Sequence, residues 1–149
     1  MCIRDSAYVV QAAGEGLRIN SHDLRALIAE RPSISRPLGL FTQSMIIQTA
    51  QTAYANVTFD TEARLARWLL MTQDRIDGNE LTLTHEFLSS MLGVRRPGVT
   101  VATHVLEGTG AIRAKRGRIE VRDREKLLEL AGDSYSTAER DYERLMTEV

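Results

Sequence analysis

The sequence predicts a mainly α-helical chain with a small β component, and three observations carry that prediction. Apolar residues recur at helical spacing from about Ser35 to Asn56. Two short helical segments then succeed one another across Gly93, and Ala111 to Val121 alternates apolar with charged residues about Arg116-Gly117. A chain of 149 residues with 43% apolar and 26% charged side chains has room for one domain or one and a half.

Met1-Cys2-Ile3-Arg4-Asp5-Ser6 reads as translated adaptor sequence, the alternative being a short native leader. Ala7-Tyr8-Val9-Val10-Gln11 reads as the middle of a β-strand without a preceding partner, so the expectation is an N-terminal truncation. Gly14-Glu15-Gly16 is a turn signal, and Leu17-Arg18-Ile19 a second strand segment. Ser21 is expected to cap a helix through Ile28, its hydroxyl reaching free first-turn amides while Asp23 suits the positive end of the dipole. Arg31-Pro32 closes that helix, because a proline pushes the residue before it out of the helical region.

Pro37 stands near the start of the long helix. Within it Leu38, Phe41 and Met45 lie three and four apart while Leu40, Ile47 and Tyr54 repeat at seven, so more than one face is apolar. A helix apolar on two faces is buried twice. Two readings stay open: a parallel dimer seam with a second copy of the helix, or a core helix of a monomer. Asp60 or Thr61 caps the next helix, with Leu65, Trp68, Leu69 and Met71 on one side and Arg64, Arg67 and Asp74 on the other; Trp68 reads as core. This helix ends around Ile76-Asp77-Gly78, and Leu81-Thr82-Leu83 is a short strand.

Thr84 caps the first helix of the next pair. Leu88, Leu92, Val99 and Ala102 supply a buried seam, Ser89 is small where the second helix crosses, and Gly93 sits where the turn needs a positive φ. The second helix begins at Arg95 or Arg96, with Pro97 tolerated because first-turn amides have no intrahelical partner. In the hairpin, Ile112, Ile119 and Val121 alternate with Arg113, Lys115, Arg118 and Glu120. Two helices and this hairpin make a winged helix-turn-helix. Helices at Arg124 to Leu130, after Asp123, and at Ser136 to Met146 complete the chain as packing elements.

Charge gives this unit a use. The whole chain carries a formal charge of -1, yet between Arg95 and Arg118 six basic residues face the single acid Glu107. Such a local footprint suits the sugar-phosphate backbone of double-stranded DNA. Early residues of the second helix point into the major groove. Arg96 is the best base reader, since a guanidinium fork matches guanine O6 and N7, and Thr100 suits a thymine methyl or a phosphate. Arg95, Thr103 and His104 join the candidate DNA-binding set, Lys115, Arg116 and Arg118 are backbone anchors, and Thr84 with its first amides is a phosphate site. Gly98 costs roughly 1 kcal/mol of helix stability relative to alanine and is read as a tolerated imperfection.

Other classes find little support. The single Cys2 permits no internal disulfide or cysteine-rich metal cluster, which fits a reducing, cytoplasmic setting. No apolar run approaches the ~18 residues of a membrane span, so no membrane partner is expected. The three histidines and scattered acids share no metal or triad spacing, so no enzyme and no cofactor is expected.

The segments Ala63-Arg64-Leu65-Ala66-Arg67-Trp68-Leu69-Leu70-Met71, Leu83-Thr84-His85-Glu86-Phe87-Leu88 and Met91-Leu92-Gly93-Val94-Arg95-Arg96-Pro97 resemble the carboxy-terminal portion of the Crp/Fnr transcription regulators. The resemblance implies three parts. Residues 1–34 hold the leader and the remnant of a cyclic-nucleotide-binding-like β-roll sensor domain. Residues 35–60 are a dimerisation helix and hinge, and residues 61–149 the DNA-binding domain. It also implies a homodimer reading a two-fold symmetric operator with half-sites about 34 Å apart, and RNA polymerase as a further partner. By this likeness Arg96 falls on the base-reading arginine and Thr84 on a phosphate-contacting threonine. The sequence departs where the catabolite activator has a reading glutamate, here Pro97, and a second reading arginine, here Val101. The roll's phosphate-binding segment has no counterpart, and Gly14-Glu15-Gly16 lies too near the roll's end to serve. A winged-helix docking module using the acidic residues Glu139, Asp141 and Glu143, or a regulator of another winged-helix family, remain the alternatives.

Overall fold

The computed structural model describes residues 10–147 apart from Ala13. The adaptor-like start and most of the first expected strand lie outside the described residues. In chain order the elements are α1 (Ser21–Glu30), a 3-10 turn (Pro32–Ile34), α2 (Ser35–Thr58), α3 (Thr61–Gln73), β1 (Glu80–Leu81), α4 (His85–Leu92), α5 (Arg96–Gly108), β2 (Ile112–Lys115), β3 (Arg118–Val121), α6 (Arg124–Ala131), a second 3-10 turn (Gly132–Ser134) and α7 (Thr137–Thr147). The protein is mainly helical with one three-stranded antiparallel sheet of order β1-β3-β2.

Two expectations at the start are corrected. Leu17-Arg18-Ile19 is not a strand: the segment pairs with no described residue, and Leu17 is fully exposed. A lone extended segment has no ladder to satisfy its backbone groups. No described residue before α1 is in a strand. The cap of α1 is Asn20 rather than Ser21, which is already the first helical residue; the Asn20 amide bonds the Asp23 carboxylate at 2.6 Å. Arg31 leaves the helical region before Pro32, as expected.

Helices α3, α4 and α6 start where short polar side chains accept first-turn amides. Asp60 accepts from the Ala63 N–H at 2.8 Å, Thr84 from Phe87 at 3.1 Å and Asp123 from Lys126 at 3.1 Å. The Lys126 N–H also holds the Asp123 carboxyl below its ordinary pKa. For α7, the Ser136 amide donates to Glu139 at 2.8 Å, the return half of a capping box.

The core forms where α3 packs on α5 and α6, α4 on α5, and the sheet closes one side. Leu65, Leu69, Leu70, Leu88, Val99, Leu106, Ile119 and Leu127 are wholly buried in it, with Trp68 half-buried at its edge. The sheet begins one residue earlier than expected, with Leu81 opposite Ile119. Its register also sets Glu80 opposite Glu120, a repulsive pair relieved by Arg118 on Glu80 at 2.8 Å and Arg122 on Glu120 at 3.0 Å.

The end of α3 is tied to the last third of the chain. Asp74 accepts from Arg124 at 2.7 Å and from the Tyr135 hydroxyl at 2.6 Å, joining α3, α6 and the approach to α7. Burial, reinforced by Asp74, pushes the Tyr135 phenol well above its ordinary pKa, so it stays a neutral donor.

Helix α2 lies along α7 and is attached to α3 by polar side chains. Arg75 reaches Gln48 at 3.0 Å, and Arg67 reaches the Thr52 hydroxyl at 3.2 Å. Arg67 corrects the sequence reading, which set it on the outward side of α3: it is 3% exposed, trapped between α2 and α3. Of α2 itself only Ser44 and Ala55 are buried, while Leu38, Phe41, Met45, Ile46, Tyr54 and Val57 remain exposed.

Candidate nucleic-acid interface

The helix-turn-helix is built as its residue types require. Helix α4 ends at Gly93 in the left-handed region with φ 62°, which a side chain would strain, and the Val94 N–H closes the turn on the Ser89 carbonyl at 3.1 Å. Arg95 is extended and caps α5, so Arg96 and Pro97 occupy its first two positions. Leu88, Leu92, Val99 and Ala102 are buried between the helices, the seam that the sequence predicts. A β-carbon at Gly98 would meet only Val94, at 3.9 Å, an ordinary contact. The position tolerates glycine rather than demanding it.

The two faces of α5 separate the candidate residues. Arg95, Arg96 and Pro97 are exposed, as are Val101, His104 and Val105 further along. Thr103 does not share that face. It is 2% exposed, and its hydroxyl donates to the Val99 carbonyl at 2.8 Å, so it is a core residue and is removed from the DNA-facing set. Its spacing carries the signal: Val99, Ala102, Thr103 and Leu106 follow i, i+3, i+4, i+7.

Thr100 is half-buried and engaged. Its hydroxyl donates to the Arg96 carbonyl at 3.2 Å, which leaves its oxygen to accept from His85 Nδ1 at 3.1 Å. His85, which sequence reasoning passed over, thereby pins the start of α4 to the start of α5. The Thr84 oxygen accepts from the Phe87 amide, while its hydroxyl proton remains available to an acceptor.

The hairpin forms with Ala114 opposite Ile119 and Lys115 opposite Arg118, and Gly117 turns the tip with φ 73°. Glu107, which the sequence presents only as a stray acid, joins the hairpin to α5: it accepts from the Ala114 N–H at 2.7 Å. This satisfies an amide on the outer edge of the sheet. His104 lies 3.6 Å from the same carboxylate. The signal available was that a lone acid in a basic stretch has a reason to be there.

Among the described residues, the side chains of Arg95, Arg96, Arg113, Lys115 and Arg116 make no hydrogen bond or ion pair. Arg118 differs from its neighbours because Glu80 already holds it. Of the acidic side chains on α7, Glu139 is spent on the Ser136 amide and Asp141 on Arg144 at 3.2 Å. No group of three or more metal-ligating side chains occurs among the described residues, and no helix among them is long and apolar enough to cross a membrane.

Comparisons with known proteins point the same way. The family model of the Crp-like helix-turn-helix domain matches residues 63–130. The fold is similar to that of a CooA mutant from Carboxydothermus hydrogenoformans, at 21% identity and a TM-score of 0.64 over 74% of this chain and 55% of that one. It is similar to FixK2 from Bradyrhizobium japonicum, at 18% identity and a TM-score of 0.69 over 76% and 60%. A CRP-family transcriptional regulator from Thermus thermophilus aligns at 23% identity and a TM-score of 0.52 over 59% and 48%. The chain spans about half the length of these structures. No curated protein sequence matches it.

Proposed function

Because residues 63–130 are a Crp-like helix-turn-helix domain on the fold of the Crp/Fnr regulators, we propose that this chain is the DNA-binding part of a transcription regulator that acts as a homodimer. The observation that carries the reading is the set of cations left without partners at the start of α5 and in the hairpin. Arg118 in the same hairpin, and Arg122 and Arg124 just beyond it, are paired with acids. Five unpaired cations gathered in one unit suit phosphates and base edges.

In this reading Arg96 forks onto a guanine in the major groove, and Val101, 58% exposed, meets a thymine methyl. Arg95 and the cations Arg113, Lys115 and Arg116 take phosphates, with Thr84 donating to another. Thr100 contributes little, since His85 and the Arg96 carbonyl occupy it. His104 stands a turn beyond Thr100, at the margin of the groove. The homodimer rests on the exposed apolar residues of α2, which a second α2 covers.

Titration of the chain onto random and selected duplexes across salt concentrations tests the proposal. Affinity should fall with salt along a log-log slope of about -0.9 per phosphate neutralised. Absence of duplex binding at low salt would leave only a docking role. Sedimentation equilibrium should show dimers that Phe41→Asp dissociates.

A further inference from the structure

Where α2, α3 and α4 meet, three residues carry buried N–H donors that have no hydrogen-bond partner among the described residues: Arg64 through Nε, Arg67 through Nε and Nη2, and Trp68 through Nε1. All three line one cavity of about 10 Å³, room for a single water-sized sphere. Arg67 is 3% exposed, so its guanidinium has no bulk water to turn to.

Two acceptors around this cavity are already used. The Thr52 oxygen takes Arg67 Nη1 at 3.2 Å and sends its own proton to the Gln48 carbonyl at 2.8 Å. The Leu92 carbonyl, left over at the end of α4, takes Arg64 Nη2. Asn56 is the remaining polar side chain of the wall, and it is neutral. No carboxylate forms an ion pair with Arg64 or Arg67 among the described residues. Glu139, whose field reaches Arg67, is bonded to the Ser136 amide, and burial lowers the Arg67 pKa despite it.

We propose that this cavity is a binding site for one halide-sized monovalent anion, chloride being the simplest. Only an anion meets both demands of the site, acceptors for several donors and negative charge beside two guanidiniums. Water supplies lone pairs without charge, and so small a site favours a monatomic ion over a polyatomic one. Bound there, the ion joins the long helix α2 to the first helix of the DNA-binding pair, so halide would favour one placement of α2 on the domain.

Thermal unfolding of the full chain at constant ionic strength, in gluconate and with gluconate replaced stepwise by chloride or bromide, tests this. A saturable rise in Tm with halide is expected, lost in Arg67→Met, together with broadening of the ³⁵Cl resonance that excess bromide reverses. A rise that persists unchanged in Arg67→Met, or no rise at all, overturns the proposal. Should Arg67→Met fail to fold, wild-type crystals grown in bromide decide: an anomalous bromine peak between Arg64, Arg67 and Trp68 supports the site. Water density without such a peak overturns it.

Discussion

Along α3, Leu65, Leu69 and Leu70 are wholly buried, whereas along α2 the side chains Leu38, Phe41, Met45, Ile46, Tyr54 and Val57 are 40% to 89% exposed. Both helices read as apolar in sequence, but their attachments differ. Helix α3 packs its apolar side chains against α5, α6 and the sheet. Helix α2 is held by α7 and by the side chains Arg67 and Arg75. The contrast teaches that the helix-turn-helix domain stabilises itself, while the apolar surface of α2 exceeds what the described residues cover.

The sharpest way to break that contrast is to cut each helix system in turn. Leu106→Ala, at a wholly buried position of α5, should cost about 2 to 5 kcal/mol in urea unfolding. Phe41→Ser in α2, measured below the concentration of any dimer, should stay within about 0.5 kcal/mol. Comparable losses would mean that α2 belongs to the same cooperative core.

Arg96→Ala addresses the outward face of α5 and should lose about 1 to 3 kcal/mol of discrimination at one base pair, read by selection from a randomised duplex library. Arg116→Ala should weaken all duplexes alike and reduce the salt slope by about 1. An unchanged preference in Arg96→Ala would remove that residue from base reading.

A change of similar size, in stability rather than binding, is expected at the joint between α5 and the hairpin. Glu107→Ala leaves the Ala114 amide without its carboxylate, for a stability loss of about 1 to 3 kcal/mol. Hydrogen exchange at Ala114 should accelerate while exchange at Ile119, paired inside the sheet, holds.

The smallest effect has the opposite sign. Gly98→Ala should stabilise the chain by about 0.4 to 1 kcal/mol, since space and backbone both accept the methyl group. Retained DNA affinity would make Gly98 a tolerated residue; lost affinity would mean that the duplex backbone approaches it closely.

The features legible in the sequence obey local rules. Gly93 and Gly117 mark turns that need positive φ, Asp60, Thr84 and Asp123 mark helix starts, and the seam of Leu88, Leu92, Val99 and Ala102 comes from helical spacing. Those that escaped depend on partners distant in sequence. Arg67 looks like a solvated cation until α2 is folded against it, and Glu107 looks adverse until the hairpin brings Ala114 to it. Leu17-Arg18-Ile19 has strand-forming residues but no strand beside it among the described residues. Thr103 is the exception, because its spacing already placed it with Val99 and Leu106.

The bond from Glu107 to Ala114 also bears on how tightly a duplex can be held, and for how long. In the proposed complex, a hairpin fastened to α5 before any encounter would lose little conformational entropy when its cations settle on phosphates, so more of each contact would appear as affinity. Releasing it should shorten residence on DNA more than it slows arrival, since steering by charge does not need an ordered hairpin. In this sense the one acid among the basic residues acts as a preorganising group, and its effect is to be looked for in dissociation rates.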